Sequence, residues 1–566
     1  MLTTDLGLSK LPDNIKELQL LVLDLHKKME KLEKNYEIEN QLLRERVNQL
    51  LHQIYGRKSE KFSSLLLDDG FEQSLLFKEP QDEQDGDFKL AENSEDEENS
   101  ITIAEHQRKK RGRKPLPDHL ERIEMVHDIA EEEKQCNCGC KKSCIGEEIS
   151  EQLEMIPAQF WVIRHIRLKY ACLNCEGVEN PEGEGAVKIA PGPVQLLPKS
   201  MATPSLLSHI LVSKFCDSLP FYRQEQQFRR FGLELSRGTM CIWAVKVAEK
   251  CKRLVELLRD VILSGPLLNI DETTFQVLCE ANRRVDSKSY MWVFRGGPGP
   301  PGKVAVVYIY AESRSGTVAS GFLGDFQGYV QTDGYNGYDF LDNRKGIIHV
   351  GCWAHVGRKF FAVIKVSGGK GKVKNLEGFG KAGEAVQTIR ALYAIEKKAR
   401  AMDLPPELIY EERQQKSKPI VDQFKLWLNE LALAVVPKSL LGRAINYTLE
   451  QWPRLIKYLD NGIIKMDNNL AENAIRPFVV GRKNWLFFEQ PGGAEAGAIL
   501  YSLIESAKAN GLEPYKYLCY IFDRLPGIDV EDDEQMKTLL PTNLTPDVLK
   551  AHQKDYQERF EGLKKT

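Results

Sequence analysis

At 566 residues, with 42% hydrophobic and 28% charged side chains, the chain is too long for one core and is expected to divide into several domains. Its formal net charge of −3 argues against a uniformly basic nucleic-acid binder, but ten acids against two lysines between 78 and 99 give that segment −8 and leave +5 on the rest, gathered in short basic runs. No apolar run approaches the roughly 20 residues that span a bilayer and no signal-peptide pattern opens the sequence, so a cytoplasmic protein with no membrane partner is expected, while twelve cysteines, six of them within 136–175, do not suggest a disulfide scaffold.

Residues 13–61 read as a coiled-coil helix. Ile15, Leu18, Val22, Leu25, Met29, Leu32 and Tyr36 alternate by three and four, and the seam resumes through Asn40, Leu43, Val47, Leu50 and Ile54 after a stutter at Leu32–Tyr36–Asn40. Asn40 has the character of a register-setting polar residue. The seam suits a homo-oligomer, packing on the same chain being the alternative. Residues 62–115 follow as an acidic linker without sustained periodicity. It ends in Arg111-Gly-Arg-Lys-Pro115, which resembles an AT-hook: the glycine lets the backbone lie in a narrow minor groove while Arg111 and Arg113 reach in. A merely solvated basic patch is the other reading.

Residues 128–190 read as a zinc-binding module. Cys172-Leu-Asn-Cys175 follows the alternating segment Val162–Tyr170, and Cys136, Cys138, Cys140 and Cys144 compete for the two remaining places of a tetrahedral thiolate site. One structural Zn2+ is expected, because four thiolates leave no open coordination position. Residues 200–264 are helical, and Leu233–Trp243 has the form of the turn and second helix of a helix-turn-helix, with Ser236 as N-cap and Arg237 where groove contacts are made. Plain helical packing competes with that reading.

From 265 to 525 the expectation is an α/β domain. Strands are placed near 266–271, 289–295, 303–310, 328–332 and 347–352, with a helical insertion at about 376–460 and a closing helical stretch over 494–525; the tail, 526–566, carries no clear pattern. Asp271 closes the apolar run Pro266-Leu-Leu-Asn-Ile270, and Asp333 follows Gly328-Tyr-Val-Gln-Thr332 before Gly334-Tyr335. Both are read as strand-end carboxylates. In Asp467-Asn-Asn-Leu-Ala-Glu-Asn-Ala-Ile-Arg-Pro477, Asp467 is taken as the helix N-cap, which puts Asn468, Glu472 and Arg476 on one face. Two aspartates and a helical glutamate can hold two divalent cations across one phosphate, and magnesium suits such oxygen donors. Glu272 and Asp467 remain alternatives to Asp271 and Glu472. His355 and Arg476 are placed to orient the scissile phosphate.

Several phrases, in order along the chain, carry a resemblance: Ile54-Tyr-Gly-Arg-Lys-Ser-Glu-Lys61, Asp271-Glu-Thr273, Thr332-Asp-Gly-Tyr335, Cys352-Trp-Ala-His355, the asparagine-rich stretch around Glu472, and Gly481-Arg-Lys-Asn-Trp-Leu-Phe487. Together they resemble the insertion sequence 66 family of bacterial transposases. The resemblance implies a ribonuclease H-like core with an Asp-Asp-Glu triad of Asp271, Asp333 and Glu472 and two catalytic Mg2+. It also implies cleavage of element ends followed by joining of their 3′-hydroxyls to target DNA. Among the first cysteines it favours Cys136 with Cys138 or Cys140 as zinc ligands. The implied partners are double-stranded DNA, both terminal repeats and target, other copies of the chain, and companion proteins of the same element. Arg482 and Lys483 would face DNA. A nuclease that does not join, and a DNA-binding dimer without catalysis, are the rival functions.

Overall fold

The computed structural model describes residues 159–171, 187–299, 303–366 and 376–564, together with scattered positions from 23 to 47. The basic arm with Arg111 and Arg113, and all six clustered cysteines, lie outside the described residues. Residues up to Pro193 in the zinc-module region and residues from Val194 onward belong to separate compact units, and each is treated by itself.

The described positions between 23 and 47 are helical, and Met29, Leu32, Tyr36, Leu43 and Val47 are exposed along them. In the smaller unit, β1 (Lys169–Ala171) pairs antiparallel with β2 (Val187–Ile189), and Arg167 Nε donates to the Ala190 carbonyl at 2.7 Å. β1 ends at the residue before Cys172.

The larger unit opens with α1 (Pro204–Phe215), α2 (Phe221–Arg230) and α3 (Arg237–Leu263). Ser236 caps α3 as expected, its side chain accepting from the Thr239 N–H at 3.1 Å. Five strands follow: β3 (Leu267–Phe275), β4 (Ser289–Gly296), β5 (Ala305–Ala311), β6 (Gly328–Gln331) and β7 (Ile347–Val350), with α4 (Gly316–Leu323) between β5 and β6. Their order is β5-β4-β3-β6-β7, antiparallel from β5 to β3 and parallel from β3 to β7. The result is a mixed α/β domain in which β4 and β5 carry near-continuous apolar runs, as strands covered on both faces must.

The outer edge of β5 is closed by a helix, α11 (Pro491–Ala509), rather than by another strand. Ser502 Oγ accepts from the Tyr308 N–H (2.8 Å), Ser506 Oγ accepts from the Val306 N–H and donates to its carbonyl (both 2.9 Å), and Asn510 brackets Val304 in the same way. Positions 502, 506 and 510 recur every four residues, so one stripe satisfies the exposed edge and blocks edge-to-edge pairing.

Between β7 and Asn469 stands the helical insertion: α5 (Trp353–Val366) leads to α6 (Gly380–Ala401), α7 (Pro406–Glu412), α8 (Lys418–Ala434) and α9 (Leu440–Leu455). It has its own apolar core around Trp353, Phe360, Phe424 and Trp452. Arg413, buried in it, forms a two-point ion pair with Glu396 (2.8 Å each) and donates to the carbonyls of Tyr458, Asn461 and Ile464. Those bonds satisfy a charge that burial would otherwise make costly. Then come α10 (Asn469–Trp485), α11 and α12 (Pro514–Arg524).

Two expectations are corrected here, and the tail, which carries no clear sequence pattern, proves structured. Asp271 does not end its strand: β3 continues to Phe275 because β4 pairs with it along its whole length. Asp467 is not the N-cap of α10; that position is Asn468, and Asp467 is buried, its Oδ1 accepting from the Asn469 N–H at 3.2 Å. The tail is folded: Met536, Leu539, Leu540 and Leu549 are buried, and α14 (Pro546–Lys564), which follows α13 (Asp533–Lys537), meets Asp523 of α12 through His552 (2.9 Å) and Arg559.

Candidate active site

The two aspartates come together through strand register. Parallel pairing aligns Asn269 of β3 with Gln331 of β6, and each carboxylate lies two residues further on, Asp271 on the protruding part of β3 and Asp333 just past the end of β6. Equal offsets from paired residues place both on the same side of the sheet. A parallel sheet leaves its crevice at such strand ends.

A buried chain of amides brings the glutamate to them. Gln331 Nε2 donates to the carbonyls of Lys465 (2.8 Å) and Gly351 (3.3 Å), Asn269 Nδ2 donates to Gln331 Oε1 and Asn468 Oδ1 (3.0 Å each), and Asn468 Nδ2 donates to the Ile270 carbonyl (2.7 Å). Asn468 begins α10, and Glu472 sits in its first turn, where the helix dipole favours a carboxylate. The position of Glu472 is therefore set from the sheet, one residue away from Asp271.

The three carboxyls lie within electrostatic reach of one another. The Asp271 carboxyl is pushed well above the usual carboxylate range, first by burial and then by repulsion from Glu272, Glu472 and Asp333. Glu272 points into a different set of partners: Arg314 Nε donates to it at 2.6 Å, Tyr338 donates its hydroxyl, and its pKa is raised chiefly by burial. Arg314 also lies 3.9 Å from Asp333 and 3.6 Å over the Tyr335 ring, so it braces the rim of the cleft.

On the other flank, Arg358 Nη2 donates to both oxygens of Glu472 (2.6 and 2.5 Å) and Nη1 reaches His355 Nε2 at 3.2 Å. His355 Nδ1 lies 3.9 Å from Glu472 Oε1 and has no hydrogen-bond partner among the described residues. Burial, aided by Arg358, lowers the His355 pKa to about 4, which keeps the ring neutral at neutral pH. The insertion closes over the site at Gly334, where a Cβ would meet the Tyr447 hydroxyl of α9 at 2.4 Å.

Of the residues singled out in the sequence, Asp271, Asp333, Glu472 and His355 are gathered here. Arg476 is exposed further along α10, and the guanidinium on Glu472 is that of Arg358 instead. Arg482 is half-buried and donates to Thr273 Oγ1 (3.2 Å) and to the Thr274 carbonyl, bracing β3, while Lys483 is exposed. Arg237 is exposed at the start of α3, 5.9 Å from the Tyr222 ring. Sequence reasoning missed Arg358, Arg314 and the amide chain. The position of Arg358 one turn beyond His355 was a readable signal.

The segment that builds the mixed five-stranded sheet and its acidic crevice matches a transposase family model, and the chain also carries a zinc-finger segment, so its class is a DNA transposase of modular build. The chain belongs to the Transposase IS66 family, which it matches over residues 199–496. Residues 133–176 match the zinc-finger binding domain of transposase IS66, 502–542 the IS66 C-terminal element, and 42–125 the family described as Transposase C of IS166 homeodomain. Relatives from Sinorhizobium fredii include uncharacterized protein y4jD, 36% identical over 76% of this chain and 82% of the relative, and y4qI, 32% identical over 78% of each. A third, y4hP, is 27% identical over 85% of each. No helix among the described residues is long and apolar enough to cross a membrane.

Proposed function

We propose that the protein cuts the ends of its insertion sequence and joins the freed 3′-hydroxyls to target DNA, with Asp271, Asp333 and Glu472 as the ligands of two Mg2+ ions. The observation that carries this is the convergence of three half-buried carboxylates at one strand-end crevice, where Glu472 and Asp333 both push the Asp271 pKa upward, a donor set of hard oxygens whose excess negative charge a divalent cation would offset. When bound, the ions supply Lewis-acid stabilisation of the entering and leaving oxygens at phosphorus.

The chain's own groups hold and orient. The amide chain from Gln331 to Asn468 keeps the triad pre-aligned, Arg314 and Arg358 limit the repulsion before cations arrive, and neutral His355 stands beside Glu472 to orient the scissile phosphate. Arg476, exposed on the same helix, serves the flanking backbone. The strand order of the mixed sheet supports the ribonuclease H-like reading.

The remaining modules divide DNA handling. The helix at 13–61 joins copies of the chain, and the arm with Arg111 and Arg113 follows the backbone. The 128–190 module holds one structural zinc through Cys172, Cys175, Cys136 and either Cys138 or Cys140. Arg237 at the start of α3 reads the element end, within a DNA-binding domain spanning 200–264, and Arg482 and Lys483 flank the cleft. The catalytic domain spans 265–525. Incubating the protein with magnesium and a labelled element end should yield nicked and then joined strands, and Asp271→Asn, Asp333→Asn or Glu472→Gln should abolish both while DNA affinity is nearly kept. Full cleavage by Glu472→Gln would reject the assignment.

A further inference from the structure

Beside the triad lies a set of donors of which the proposed magnesium site uses only Glu472. Cys352 precedes α5, His355 stands in its first turn and Glu472 comes from α10; one ligand atom of each lies within 4.8 Å of the others. The thiol is buried, and its sulfur accepts a hydrogen bond from the Asn468 N–H at 3.2 Å, the kind of outer contact that supports a ligating sulfur. Among the described residues, His355 Nδ1 is buried without a hydrogen-bond partner and faces Glu472. A buried polar nitrogen left unpaired costs stability unless something binds it.

A positive charge already holds two of the three donor groups. The Arg358 guanidinium bridges His355 Nε2 and both Glu472 oxygens, two of the three donor groups. Sulfur, imidazole nitrogen and carboxylate oxygen form the mixed set that zinc accepts, whereas magnesium takes oxygen donors.

We propose that Cys352, His355 and Glu472 form a second metal site, selective for a thiophilic divalent cation such as zinc, whose filling withdraws Glu472 from the magnesium-binding carboxylates and stops strand cleavage. The withdrawal rests on the function proposed above; the binding does not. Ligation through His355 Nδ1 moves the ring proton to Nε2, which then no longer accepts from Arg358; Arg358 also leaves at least one Glu472 oxygen, and the Cys352 thiol gives its proton to solvent. Excess zinc would then act as a reversible brake on the same carboxylate that catalysis needs.

The full-length protein, purified with its zinc module filled, is titrated with Co2+, whose sulfur-to-metal charge-transfer absorbance reports thiolate ligation. One added equivalent should produce the band in the parent chain. Cys352→Ser and Cys352→Ala should lack it while keeping any band from exchange into the zinc module, and Arg358→Gln should tighten binding by about tenfold, the lower end of outer-contact effects on metal affinity. Thermal transitions of the variants establish that they fold. In parallel, zinc added to cleavage reactions in magnesium should suppress the parent chain, while each Cys352 variant, measured against its own zinc-free rate, should need about 10–100-fold more zinc.

A band that persists in both Cys352 variants overturns the site. A band that depends on Cys352, with cleavage that zinc does not affect, overturns the withdrawal of Glu472. Glu472→Gln then separates the causes: an inactive variant leaves the triad in place and rejects only the brake, and an active one rejects the triad.

Discussion

Asn269 and Asn468, 199 positions apart in sequence, share a buried hydrogen bond of 3.0 Å that ties the strand bearing Asp271 to the helix bearing Glu472. The bond has no direct part in chemistry. It sets the distance between two carboxylates whose repulsion would otherwise drive them apart. Asn468→Ala leaves the Ile270 carbonyl unpaired in the core, and the expected loss is about 1–3 kcal/mol of unfolding free energy. Because loose positioning penalises in-line transfer steeply, cleavage should fall further than stability predicts. Denaturant unfolding beside single-turnover cleavage at saturating magnesium checks this, and a variant with normal cleavage would show that Asn468 is only a packing residue.

The strain in the acidic cleft has a sign that can be measured. Asp271 has a folded-state pKa well above its ordinary 3.8, from burial first and then from Glu272, Glu472 and Asp333. The folded chain thus holds that proton more tightly than the unfolded chain. Metal-free stability should decline as pH rises from the ordinary aspartate range through the elevated folded value. Asp271→Asn should remove that decline and raise the melting temperature of the metal-free protein at neutral pH. Magnesium should raise the melting temperature of the parent chain and not of the variant. Calorimetry with and without magnesium across pH tests both signs.

Much of this arrangement is written in local sequence, and the exceptions have physical causes. The strands are legible because their apolar runs are bounded by charge or glycine, but the end of β3 is not, since Thr273 and Thr274 are held in the strand by pairing with Met291 and Tyr290 on a neighbour. Asp467 and Asn468 are both good caps by type, and only the buried amide chain assigns Asn468 to the helix start. Arg358 was visible as a basic residue on a helix, yet its partner Glu472 lies 114 positions away, beyond the insertion. The folded tail was hidden because Met536, Leu539, Leu540 and Leu549 are too sparse to form a periodic stripe. The zinc ligands and the arm with Arg111 and Arg113 rest on sequence pattern alone.

Metal content tests the zinc module. One tightly held zinc per chain is expected, and Cys172→Ser or Cys175→Ser should release it and destabilise the 128–190 segment to proteolysis, because ligand binding supplies folding free energy there. Fragment patterns together with metal analysis decide it: a zinc-free preparation with an unchanged pattern removes the structural metal.

Arg237 and the basic arm should fail in different ways. Arg237 is exposed at the N-terminus of α3, so Arg237→Ala should narrow the ratio of affinity for element ends over random DNA, costing about 1–3 kcal/mol of discrimination if a base is read. Neutralising Arg111 and Arg113 should weaken both kinds of binding together and flatten the salt dependence. Binding curves over a series of salt concentrations separate the two, and an unchanged ratio in Arg237→Ala would return α2 and α3 to plain helical packing.

The exposed stripe of Met29, Leu32, Tyr36, Leu43 and Val47 follows the heptad seam, and such a row of apolar side chains is expected to find a matching row. A second copy of the chain supplies one, and holding two DNA ends together requires more than one copy. Leu32→Lys with Leu43→Lys would place charges in that interface and should give monomers that still bind one end but no longer join pairs. Asn40→Leu should act in the opposite direction, strengthening association and blurring its register, because a polar residue in the seam sets alignment at some cost in stability. Sedimentation of the full-length chain and its variants makes the comparison direct. A parent chain that stays monomeric at tens of micromolar, about where short coiled coils associate, would mean that the seam packs on its own chain instead.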